Sequence, residues 1–102
     1  MATLGLVTLE CHRRHDLDSE DEPQITVDGI TVWNGDMGFR TRADLRPASL
    51  HFNSRAEMTL LDVSGGKPRQ IGDEITIREN GNPASVSFKA SGTWYELHFE
   101  VS

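Results

Sequence analysis

Apolar and polar residues alternate with a period of two along most of this chain, the pattern of strands that bury one face. The first run sets Leu4 and Leu6, then Val7, Leu9 and Cys11, on alternating positions. Its facing set changes between Gly5 and Val7, which predicts a bulge there. Gln24 to Val27 and Ile30 to Trp33 flank Asp28-Gly29, a pair suited to a two-residue type I′ turn, and Asn34-Gly35 is a second turn signal. Phe39 to Leu45 and Ala48 to Phe52 read as weaker strands parted by Arg46-Pro47, and Glu57 to Leu61 as a short strand ending at Asp62.

Val63 to Gln70 carries Gly65-Gly66 and Pro68 and reads as an exposed loop, with a strand over Ile71 to Ile77 after it. Turn residues crowd Asn80-Gly81-Asn82-Pro83. The last pattern is a hairpin about Ser91-Gly92. In it Val86, Phe88, Ala90, Tyr95, Leu97, Phe99 and Val101 form the apolar set, while Trp94, Glu96, His98 and Glu100 face the other way. No segment keeps a helical period over three turns. Seven to nine short strands with Gly/Pro turns predict an all-β fold, an antiparallel β-sandwich forming a single domain over residues 1–102. A sandwich is preferred to a barrel because no corner-glycine pattern repeats.

Composition narrows the function classes. The 102 residues are 36% hydrophobic and 25% charged, ordinary for a globular protein, and the net charge is −6. Nucleic acid and anionic lipid call for a basic face, so neither is an expected partner. No apolar run approaches the roughly 20 residues of a membrane helix, and direct membrane insertion is not expected. The opening Met-Ala-Thr-Leu-Gly-Leu-Val-Thr-Leu lacks a basic n-region and a continuous apolar h-region, so no signal peptide is read and synthesis in the cytoplasm is expected. Cys11 is the only cysteine, which excludes an intrachain disulfide; a small buried hydrophobe is the expectation for it.

The densest chemistry lies in Asp-Leu-Asp-Ser-Glu-Asp-Glu over residues 16–22. Asp16, Asp18, Glu20, Asp21 and Glu22 repel one another unless water screens them or a cation binds, and they offer the hard oxygens that Ca²⁺ takes. An EF-hand is excluded. Counted from Asp16, the sixth position is Asp21 instead of Gly and the twelfth is Val27 instead of Glu. The plain alternative is a solvated acidic loop that keeps a neighbouring strand soluble.

Leu9-x-Cys11, the acidic loop, and Glu22-Pro23-x-Ile25-x-Val27-Asp28-Gly29-x-x-Val32-Trp33 follow one another in a telling order. Leu60-Leu61-Asp62, a loop, Ile71-Gly72-Asp73-Glu74-Ile75-x-Ile77 and the closing Tyr95-x-Leu97-x-Phe99-x-Val101 come after them. Together they resemble a bacterial group of calcium-binding sandwiches akin to the C-two membrane-targeting domain. That resemblance implies a Ca²⁺ site shared by two loops at one end of the sandwich. Asp16, Asp18, Asp21 and Glu22 would come from the first loop and Asp62 from the second. The second loop departs from the group's pattern, since Val63 to Gln70 brings Lys67 and Arg69 where aspartates are usual. Two outcomes stay open: a weak site built mainly by the first loop, or a dead one in which Lys67 or Arg69 pairs with the carboxylates.

Cys11, His12 and His15 are close enough to suggest zinc, but no second pair completes a four-ligand structural site. No nucleophile elbow, phosphate-cradling glycine loop or Cys/His pairing with a recognisable context occurs, so the chain is read as a non-enzyme. Trp33 is expected in core or rim packing. Trp94, opposite the apolar face of its strand, is the candidate protein contact. The expected function is a non-enzymatic binding or structural module with a weak or vestigial calcium site. The alternative is a virion or assembly structural protein, a capsid decoration or tail-associated component, without metal. The partner is another protein on the first reading and an assembly lattice on the second.

Overall fold

A computed structural model describes residues 1–13, 21–38, 41–63, 66–80, 82, 84–90 and 92–102. Among the described residues ten strands form in chain order: β1 (Ala2–Arg13), β2 (Pro23–Val27), β3 (Ile30–Asn34), β4 (Arg42–Asp44), β5 (Ser49–Phe52), β6 (Arg55–Asp62), β7 (Arg69–Gln70), β8 (Ile75–Arg78), β9 (Ser85–Ala90) and β10 (Thr93–Val101). They make two antiparallel five-stranded sheets packed as a sandwich. One sheet runs β4-β1-β10-β9, with β5 also on β1; the other runs β3-β2-β6-β7, with β8 also on β6. Among the described residues no helix is long and apolar enough to cross a membrane.

The alternation read from the sequence is what builds the core. Leu4, Leu6, Leu9 and Cys11 of β1 and Tyr95, Leu97 and Phe99 of β10 are buried. They join Phe88 of β9 in one cluster with Ile25, Val27, Ala56, Met58, Leu60 and Ile77 of the opposite sheet. The register of β1 against β10 slips between Leu6 and Thr8, so the expected bulge is present, and it lets Leu6 and Leu9 face the same way three residues apart. Asp28 and Gly29 both have positive φ, 51° and 82°, with Val27 paired to Ile30, the geometry of the predicted type I′ turn. The Asp28 side chain locks that turn to the next strand, its Oδ1 accepting from the Glu57 amide at 2.9 Å.

Two stretches depart from the expectation. Arg69 and Gln70, expected in a loop, form the short strand β7 because Leu61 and Asp62 extend β6 far enough to pair with them. Conversely, Ile71 keeps an amide bond to the Leu60 carbonyl of β6 at 2.8 Å, Gly72 to Glu74 leave the sheet, and only Ile75 to Arg78 form β8. Gly72 explains the break. Its φ is +71°, and a Cβ on it would sit 2.8 Å from the Lys89 amide nitrogen and 3.2 Å from the Lys89 carbonyl oxygen. At this point the chain crosses directly against the backbone of β9, which only a glycine allows.

Gly72→Ala is therefore expected to lower unfolding stability by about 2–4 kcal/mol, through left-handed strain and overpacking against backbone. Gly66→Ala is the control: its φ is +84° but nothing lies within 4 Å of a Cβ there. It should cost only the strain, about 1–2 kcal/mol, in the same urea titration.

Candidate functional site

The rim where β1 hands over to β2 holds those proposed calcium ligands that fall among the described residues; Asp16 and Asp18 lie outside them. Strand alternation separates the two neighbours that begin the second segment. Asp21 turns inward and is buried, while Glu22 turns outward. Asp21 is fixed by a backbone bridge to Met37, with amide-to-carbonyl bonds of 3.0 and 2.9 Å. Its Oδ2 accepts a 2.5 Å hydrogen bond from the Tyr95 hydroxyl of the opposite sheet. Burial, and then that bond to Asp21, push the Tyr95 phenol far above its ordinary ionisation range, with smaller contributions from Cys11.

Asp62, at the end of β6, is also buried. Its Oδ1 accepts from the Glu22 amide at 3.2 Å and its Oδ2 from an Arg69 guanidinium nitrogen at 3.4 Å. Glu22 and Asp62 are thus brought together, but through the Glu22 backbone. The Glu22 residue lines a shallow hollow of about 230 Å³ with Asn34, Gly35, Asp36 and Val63. Asp36 belongs to this rim although no motif marks it. Arg69, one of the two cations expected near these acids, pairs with Asp62 because β7 lies beside β6 with Asp62 opposite Arg69.

A second constellation occupies the outer face of the β1–β10 pair. Glu10 stands directly opposite Glu96, and Thr8 opposite His98. The register then passes from Cys11–Tyr95 to Arg13–Trp94, which leaves His12 as the extra residue of a second bulge. His12 Nε2 lies 3.2 Å from Glu96 Oε1 and 3.5 Å from Glu10 Oε2. His98 Nε2 lies 3.4 Å from Glu10 Oε1 and 3.3 Å from Glu96 Oε2. The His12 ring packs on Trp94 with 4.6 Å between centroids, and Lys89 Nζ lies 4.6 Å over the Trp94 ring.

Cys11 and His12, grouped on sequence as possible zinc ligands, point to opposite faces, the thiol into the core and the imidazole outward. His15 lies outside the described residues. The sequence does contain the signal for the outer cluster: two Glu-x-His dyads, Glu10-Cys11-His12 and Glu96-Leu97-His98, each with both polar side chains on one face of a strand. Only the pairing register shows that the two dyads meet.

Comparison with known proteins finds no matching family model, no matching curated protein and no matching solved structure. The chemistry of the chain is therefore read from its own side chains.

Tyr95→Phe removes a buried donor from a carboxyl oxygen and is expected to cost about 1.5–3 kcal/mol at neutral pH. The pH dependence follows from the raised phenol. An unfolded tyrosine ionises near 10, so above about pH 10 the unfolded state sheds its proton first and stability falls as pH rises. Tyr95 is the only tyrosine, so its tyrosinate absorbance should stay silent until the protein unfolds, and Tyr95→Phe should flatten the alkaline loss of stability.

Proposed function

We propose that the chain is a non-enzymatic binding module, a C-two-like sandwich whose end-loop calcium site is vestigial. The observation that carries this reading is the state of Asp62. One of its oxygens accepts from the Glu22 amide, and Arg69 stands at the other. A guanidinium beside a carboxylate supplies the positive charge that an ion would bring, and it repels the ion itself. With Asp21 turned into the core toward Tyr95, Asp21 and Asp62 serve as ties of the fold. On this reading those two carboxylates need no metal, and the module works as a preformed body.

Its contact surface on this reading is the outer face of β1, β10 and β9. Trp94 is 36% exposed there, with its ring packed on His12 and Lys89 Nζ over it. A partly exposed aromatic suits contact with another protein, whether a free partner or the subunits of a virion or other lattice. Trp94 is the observation that favours this second setting as well as the first.

In thermal melts the native chain should show the same Tm with and without about 5 mM Ca²⁺, a level sufficient for weak extracellular loop sites. A calcium-dependent rise in Tm, abolished by Asp62→Asn, would mean a working site and would overturn the vestigial reading.

A further inference from the structure

The outer cluster on β1 and β10 supports an inference independent of the module reading. Two carboxylates face each other across adjacent strands, Glu10 opposite Glu96, an arrangement that costs stability unless positive charge lies between them. Imidazole nitrogens stand on both sides of the pair. We propose that Glu10 Oε2, His12 Nε2 and Glu96 Oε1 bind a first-row divalent transition-metal ion of the zinc type, with His98 as a positioning residue on the remaining oxygens of both carboxylates.

Geometry supplies the first argument. Glu10, His12 and Glu96 each offer a ligand atom, and these atoms all lie within 4.8 Å of one another. The imidazole-to-carboxylate separations of 3.2 and 3.5 Å bracket the roughly 3.3 Å between donors that share a tetrahedral ion with bonds of 2.0–2.1 Å. The second argument is the bulge. It leaves His12 without a cross-strand partner and sets its ring beside the Glu96 carboxylate, and bulges commonly re-aim a side chain next to a working site. Third, the oxygens are divided cleanly. His12 meets Oε2 of Glu10 and Oε1 of Glu96, while His98 meets Oε1 of Glu10 and Oε2 of Glu96. The exposed Arg42 guanidinium comes no nearer than 4.0 Å to the same Glu10 Oε1 and is the charge that competes with the ion there. A hydrogen-bonded far oxygen is the usual outer-shell support of a ligating carboxylate.

The donor set selects the ion. Ca²⁺ takes six to eight oxygens, whereas one imidazole with two carboxylates suits zinc and its neighbours. All three donors rise from one sheet surface, so they cover one side of the ion and leave the other to water, the pattern of an open three-ligand site. Side-chain exposures of 26% for Glu10, 34% for His12 and 28% for Glu96 leave an entry path while removing part of the competing solvent.

The test is calorimetric titration of the full, chelator-stripped chain with Zn²⁺ at slightly alkaline pH, with Ca²⁺ in a parallel arm. One Zn²⁺ per chain and no Ca²⁺ heat at this site are expected, with binding weakened at least 100-fold by His12→Gln and about tenfold by His98→Gln. Co²⁺ separates ligand from positioning residue: its visible ligand-field bands should survive in His98→Gln and change in His12→Gln. Should a variant fail to fold, the unmodified chain still decides. Bound Co²⁺ should quench Trp94, which packs on His12, and the quenching should vanish in Trp94→Phe although Trp33 remains. Absence of Zn²⁺ binding, unchanged affinity in folded His12→Gln, or quenching that persists in Trp94→Phe would each overturn the proposal.

Discussion

The antiparallel ladder between β1 and β10 is the constraint on which the rest of this structure depends. It joins the two longest strands, running from Leu4 opposite Val101 to Arg13 opposite Trp94. A strand has only two faces, so one choice of register decides both of them. With Leu9 against Leu97 and Cys11 against Tyr95 on the inside, Glu10 must meet Glu96 on the outside. A slip of one residue would expose the core and scatter the polar cluster at the same time. The hydrophobic effect thus holds the outer-face chemistry in place without touching it.

A buried polar tie does comparable work between the layers. Tyr95 belongs to one sheet, and Asp21 leads into the other, so the hydroxyl-to-carboxyl bond crosses the sandwich at the end where β2 begins. Burial makes the bond strong and makes either group expensive if left alone. Asp62 repeats the device nearby, with a backbone amide and a guanidinium instead of a phenol. Acids that look like free ion ligands in the primary structure are, at these two positions, part of the packing.

Most of the architecture was legible from period-two alternation and turn chemistry. Asp28-Gly29, the bulge near Val7 and the outward set Trp94, Glu96, His98 and Glu100 follow from rules that act over a few residues. What escaped depends on partners distant in sequence. Arg69 and Gln70 become a strand only because β6 offers an edge at Leu61 and Asp62. The chain leaves the sheet after Ile71 because Gly72 runs against β9. Asp21 and Glu22, adjacent in a run of acids, were grouped by composition, yet alternation sends them to opposite sides. The Glu-x-His dyads are 86 positions apart and acquire meaning only when the ladder aligns them.

The way the outer strands are divided has its own consequence. Beside β1, one flank is shared by β4 and β5 laid end to end; beside β6, another is shared by β7 and β8. None of those four exceeds four residues. Each flank is therefore interrupted before it presents a long row of unpaired amides and carbonyls, and a second molecule finds no continuous template there for recruiting its own backbone. Among the described residues, continuous borders remain only at β9 and β3, the far edges of the two sheets, so any growth by backbone pairing is confined to those two strands.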